Sequence, residues 1–207
     1  MRSLFDEERE DLKRLSFKEV EAKAQGCQWC RLKESRSRVV FGEGPAPCDL
    51  MFIGEAPGEV EDQTGRPFVG RAGQKLDEIL ASVGIERNEV YISNVVKCRP
   101  PNNRLPQKDE METCWPYLEA QIYHLKPKII VTLGNAPTQL LLKTQEGITK
   151  LRGEFVKWRA GIEVFPMFHP SFLLRNPSKE PGSPKYLTWK DIQKVKARLD
   201  ELRRQEG

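Results

Sequence analysis

No apolar run in the chain approaches the ~18 residues that a membrane-spanning helix needs, so a helical membrane protein is not expected. The opening residues, MRSLFDEEREDLKRL, alternate in charge and lack the apolar core of a secretory signal. A soluble, cytoplasmic protein is the expectation. Histidine is scarce, at two residues, and aromatic residues make up only 8%. No large excess of one charge is present: 34 Lys+Arg against 30 Asp+Glu leave +4, with a pI near 8.8. By itself that is weak support for a polyanionic partner. The excess is uneven, because residues 1–24 carry 6 basic and 7 acidic side chains and residues 169–207 carry 9 and 5.

The familiar nucleotide-binding fingerprints are also missing. No Gly-Lys-Ser/Thr follows a glycine-rich loop, which excludes a P-loop, and G-x-G-x-x-G is absent. The five cysteines, Cys27, Cys30, Cys48, Cys98 and Cys114, are an odd count without an export signal, which argues against a disulfide framework. Cys27 and Cys30 form one C-x2-C pair. Cys98 and Cys114 do not form a second, so a zinc ribbon fits poorly. An iron–sulfur cluster tolerates scattered thiolates. Spacing alone leaves a metal or cluster site level with buried, unrelated cysteines.

What is present is an alternation of short apolar runs with helical patterns. Strands are expected at 49–54, 90–96, 128–134 and 163–168. Helices are expected at 3–24, 71–83, 109–124 (kinked or interrupted near Pro116), 136–143 and 185–204. The pattern predicts an α/β protein with a mostly parallel four-stranded sheet between helices. At 207 residues it reads as an extension over 1–24 and a single domain over 25–207.

In such sheets ligands gather at the C-terminal strand ends. The loop there, Gly54-Glu55-Ala56-Pro57-Gly58 through Gly73, is rich in glycine, which lets backbone approach a ligand closely. Phe68 in that loop reads as a stacking platform or as packing. His169, beside a proline-fixed turn in His169-Pro170-Ser171-Phe172-Leu173-Leu174-Arg175, reads evenly as catalytic or structural. His124 reads as a helix cap or surface residue.

Taken together, GEAPGEVEDQTGRPFVGRAG, YISNVVKCRPPNNRLP and HPSFLLR, with the Cys27-x2-Cys30 pair, Cys98 and Cys114, resemble the family 4 uracil-DNA glycosylases, the iron–sulfur members of their superfamily. The resemblance runs from about residue 27 to 196. It implies a three-layer α/β/α sandwich around a four-stranded sheet. It also implies a 4Fe–4S cluster, structural rather than redox-active in catalysis, on Cys27, Cys30, Cys98 and Cys114. The expected substrate is uracil-containing DNA, single- or double-stranded, handled by a monomer that releases uracil by hydrolysis.

The resemblance further implies roles for single residues. Phe68 matches the aromatic that stacks on uracil, Asn94 the amide that reads its polar edge, and His169 the donor to uracil O2. The best-known superfamily members carry an aspartate in their first motif, GQDPYH. Here Ala56 stands in its place, leaving Glu55 and Glu61 as candidate carboxylates, with Glu61 ranked first. Leu173 matches the leucine that wedges into the stack, and Ser171, Arg175, Lys97, Arg99 and Arg104 are candidate DNA contacts. No lysine occupies a motif position suited to a Schiff base, so a lyase step is not expected. The competing readings are the same fold acting on hypoxanthine or xanthine, and a non-catalytic iron–sulfur DNA-binding module.

Overall fold

The computed structural model describes residues 12–205. Its strands are β1 (Leu50–Gly54), β2 (Tyr91–Asn94), β3 (Ile129–Leu133), β4 (Val156–Lys157) and β5 (Glu163–Met167). The helices are α1 (Phe17–Gln25), α2 (Glu59–Thr64), α3 (Arg71–Ala81), α4 (Lys108–Leu125), α5 (Asn135–Leu142), α6 (Ile148–Leu151), α7 (Pro170–Arg175) and α8 (Pro184–Arg204).

The strands form one sheet in the order β2-β1-β3-β5-β4. Its first four members run parallel and β4 pairs antiparallel with β5. A sheet with helices on both faces needs strands that are apolar on both sides, and every residue of β1, β3 and β5 is buried. Met51, Ile53, Ile130 and Val164 face the core shared with α1 and α4. Leu50, Phe52, Ile129, Val131 and Phe165 face the core shared with α3, α7 and α8. The three-layer sandwich is therefore present, with one more strand than expected. β4 is two residues long with both exposed, too short to leave an alternation in the sequence.

Other departures have local causes. A single helix over 3–24 is not seen: Ser16 is extended and caps α1 in a reciprocal box with Glu19, after a 3₁₀ turn at Leu12–Arg14. Residues 3–11 of that expectation lie outside the described residues. Val20 and Ala24 of α1 are buried in the same core as Leu118 of α4, so packing is continuous across residue 24. α4 runs on through Pro116. An interior proline costs a helix about 3 kcal/mol, but Tyr117, Leu118, Ala120, Gln121 and Ile122 beyond it are all buried and hold the last turns. His124 at its end is no simple cap, since its ring packs 6.0 Å from that of Phe17. The loops expected after β1 and β5 contain the short helices α2 and α7, which carry the site.

Candidate active site and cysteine cavity

The C-terminal ends of β1, β2, β3 and β5 open into one cleft of about 1280 Å³, whose lining includes Glu55, Phe68, Asn94, Gly134, His169 and Arg175. Gly54 closes β1 and explains how the cleft fits together. A Cβ there would lie 2.4 Å from Phe68 Cζ and 2.5 Å from Asn94 Oδ1, so only glycine lets the ring and the amide meet across the strand end. Phe68 itself adopts a left-handed backbone, φ 50°. That conformation is unfavourable for an aromatic residue, and it is held from outside. Arg87 donates to the carbonyls of Phe68 (3.0 Å) and Pro67 (2.6 Å) and pairs with Asp77. Gly73 leaves room for the Phe68 carbonyl, which a Cβ would meet at 1.8 Å.

Asn94 ends β2 and is 1% exposed. Its Oδ1 is buried with no hydrogen-bond partner among the described residues. A buried acceptor left unpaired costs about 1–3 kcal/mol, and this one is available to a donor that enters the cleft. Its backbone carbonyl, by contrast, is fixed by Lys97, whose Nζ donates to Asn94 O (2.7 Å), Ser93 Oγ (2.7 Å) and Gln121 Oε1 (2.6 Å). Gln121 continues the network to the Phe41 carbonyl. Lys97 is therefore no phosphate contact. It is buried, and burial pushes its ammonium down to about 7. The anchoring role of Lys97 was not visible in the sequence, where it read as a candidate DNA contact, and nothing in the sequence singled out Arg87.

His169 caps α7. Its Nδ1 accepts from the Ser171 backbone N–H (3.1 Å) and touches Ser171 Oγ (2.7 Å). Burial, with Arg175 nearby, lowers its pKa to about 4, so the ring is neutral near pH 7. A backbone N–H can only donate, so Nδ1 is the unprotonated nitrogen and Nε2 carries the proton. The ring lies 5.8 Å from that of Phe68.

The two candidate carboxylates differ in how their oxygens are used. Glu61 is 9% exposed and accepts from the backbone N–H groups of Gly58 (3.1 Å), Val69 (3.0 Å) and Gly70 (2.7 Å). It knots the loop that carries Phe68, and its oxygens are already in use. Glu55 lines the cleft with no protein hydrogen bond to its carboxyl among the described residues, and burial raises its pKa above the ordinary value. Ala56 lines the cleft beside it. Of the two, Glu55 is the carboxylate with its oxygens unused by the protein among the described residues.

Leu173 is corrected more sharply. At 1% exposure it belongs to the core under α7, so it presents no wedge. Arg104 is committed to Glu110 by two bonds of 2.8 and 2.6 Å, and Arg99 to Asn103 at 2.8 Å. Arg175 is exposed and pairs with no carboxylate among the described residues.

The cysteines behave as two groups. Cys27, Cys30, Cys98 and Cys114 line one small cavity with Arg36, Lys97, Trp29 and Tyr117. Cys48 packs separately in the core at 7% exposure. Burial raises Cys98 to about 11 and Cys114 to about 12, against the pull of Arg36 and Lys97 respectively. Arg36 donates to Cys98 Sγ at 3.3 Å. Among the described residues no three acidic, histidine or cysteine side chains are arranged to grip one ion. A cluster places each thiolate on a different iron and so tolerates wider spacing. Four thiols around one cavity lined by two cations fit a group of net negative charge.

Residues 41–193 match the family model described as the uracil DNA glycosylase superfamily. A type-4 uracil-DNA glycosylase of Thermotoga maritima is 46% identical over 179 residues, 86% of this chain and 92% of that protein. One from Sulfurisphaera tokodaii is 45% identical over 171 residues, covering 79% and 78%. The chain belongs to the type-4 uracil-DNA glycosylases. The matched superfamily span holds all the cleft residues discussed above, while Cys27 and Cys30 of this type-4 glycosylase precede it. Ala56 stands where the GQDPYH motif of the best-known superfamily members has its aspartate, and its neighbour Glu55 has the open position on the cleft wall.

Proposed function

We propose that the protein hydrolyses the N-glycosidic bond of deoxyuridine in DNA, releasing uracil and leaving an abasic site. The observation that carries this reading is the buried, unpartnered Asn94 Oδ1 beside Phe68. Uracil N3–H is a donor, and its O4 accepts from the Asn94 amide nitrogen. Cytosine presents the reverse pattern. Target bases inside a duplex must be flipped out, at a cost of a few kcal/mol. Stacking on Phe68 offsets part of it, being worth ~1–3 kcal/mol per base.

As the bond breaks, the electron pair leaves with the base and charge gathers on O2, while the sugar becomes cation-like. The Nε2–H of neutral His169 meets that charge, and such a donor is typically worth ~3–4 kcal/mol. Glu55 faces the cation and the incoming water, whose oxygen bonds to the sugar carbon; the Glu55 carboxylate accepts the proton that water loses, and the uracil anion takes up a proton from solvent as it leaves. Glu61 and Arg87 hold the Phe68 loop in place.

Cys27, Cys30, Cys98 and Cys114 are proposed to hold a 4Fe–4S cluster that braces α1, α4 and the end of β2, the strand that carries Asn94. Oxygen-stable clusters of this kind give brown protein. Cys98→Ser should lose the colour and Cys48→Ser keep it; a colourless wild type holding zinc would refute the cluster. The protein is read as a monomer acting on chromosomal DNA in the cytoplasm.

The activity is tested by offering single- and double-stranded DNA carrying uracil, hypoxanthine, xanthine, thymine or cytosine. Free uracil and alkali-labile sites from the uracil strands are expected. Release of only a purine, or tight binding without release of any base, would overturn the reading.

A further inference from the structure

We propose that Leu105, and not Leu173, is the residue that fills the base stack when the target nucleotide leaves it. The proposal rests on the uracil-excision reading, because it needs a flipped nucleotide in the same cleft.

Leu105 is 72% exposed, the most exposed large apolar side chain among the described residues. A lone exposed leucine is unremarkable in itself. Two further observations give this one a use. It lies on the wall of the cleft that contains Phe68, Asn94 and His169. It is also held as a rigid projection. Asn102 and Asn103 both adopt left-handed backbone conformations, φ 54° and 53°, closed by Asn103 N–H to Pro100 O and Arg104 N–H to Pro101 O, each 3.1 Å. Arg104 grips the fully buried Glu110 with two bonds, and the same guanidinium donates to the Leu105 carbonyl at 2.9 Å. Pro106 is buried immediately beyond. The backbone on both sides is fixed while the side chain stands in water, so docking into a stack orders little that is not already ordered.

Leu173 cannot take that role without leaving the core it shares with Ile79, Leu80 and Ile192. The surroundings of Leu105 suit a nucleic acid. Lys108 is exposed close by, and Lys143 and Arg175, also on the cleft wall, pair with no carboxylate among the described residues. Apolar wedges between base steps stabilise unstacked DNA, and a single strand has little stack to fill.

The test compares single-turnover uracil release by Leu105→Ala on duplex and on single-stranded DNA of one sequence, with melting temperature measured alongside. The duplex rate should fall roughly 10- to 100-fold while the single-strand rate stays within about threefold of wild type. Leu105→Met should restore the duplex rate. Leu173→Ala should lower the melting temperature without changing the duplex to single-strand ratio. An unchanged ratio for Leu105→Ala, through either no effect or equal loss on both substrates, would overturn the proposal. Failure of wild type to release uracil from either substrate would instead overturn the glycosylase reading.

Discussion

At the residue scale, the proposed reaction separates groups that touch the base from groups that hold them, and it places His169 in the first kind. Removing such a donor costs roughly 10²–10³ in rate, so His169→Ala should slow single-turnover release by that factor while affinity for abasic DNA persists. Its burial gives the acid limb a definite sign. The folded-state pKa of about 4 lies below the ordinary value, so neutral His169 persists at mildly acidic pH and its contribution is lost as pH falls through about 4. The stability linked to this histidine has the same sign: present in full above about 6.5 and lost as pH falls toward the folded value. Glu55 shifts the other way, its carboxyl raised above 4.5 by burial, and so takes up its proton first on acidification. A pH profile of wild-type single-turnover rates should show both steps, and Glu55→Gln should slow release and remove the upper one. An unchanged profile in Glu55→Gln would mean that water is oriented without this carboxylate.

At the element scale, the same contrast separates Glu55 from Glu61. Glu61 satisfies three backbone donors at the start of α2 and before α3. Losing an acceptor from a buried donor costs about 1–3 kcal/mol per group. Glu61→Ala should therefore lower the melting temperature by several degrees, whereas Glu55→Gln should leave it nearly unchanged. Thermal melts of the two variants check this. The sequence showed that this loop mattered, through its glycines and Phe68, but not which carboxylate was spent on backbone. Glu61 accepts from the N–H of Gly58 three residues before it, half of the reciprocal capping arrangement. With glycine at the cap there is no hydroxyl to mark that role in the sequence. Leu173 was misplaced for a related reason: matching it to the family's wedge said nothing of α7 packing against α3, which buries it.

At the scale of the whole molecule, the parallel sheet and its two helical layers were legible because buried strands leave dense apolar runs. β4 and the short helices were not, since two exposed residues or a six-residue turn leave no period. The partners of Lys97 were invisible for a deeper reason. Its Nζ joins the end of β2 to Gln121 of α4, a contact made only once the chain has folded. The cysteine cavity spans the same elements, drawing on the segment after α1, the end of β2 and α4. Chelating the iron of the proposed cluster under reducing conditions should therefore lower the melting temperature and expose amides of α1 and early α4 to hydrogen exchange, leaving β3 and β5 protected. Uniform exchange across the sheet would show instead that the cavity supports the whole fold.

Uracil recognition in this cleft depends on the unpaired acceptor of Asn94, and the most direct measurement is on Asn94→Leu, a near-isosteric side chain with no polar atom. Replacing a buried acceptor that has no protein partner removes a desolvation penalty. The variant should melt at or above the wild-type temperature while single-turnover uracil release falls by at least about 100-fold. A folded Asn94→Leu protein that still excises uracil at the wild-type rate would contradict the assignment of this residue, and with it the reading of the cleft as a uracil pocket.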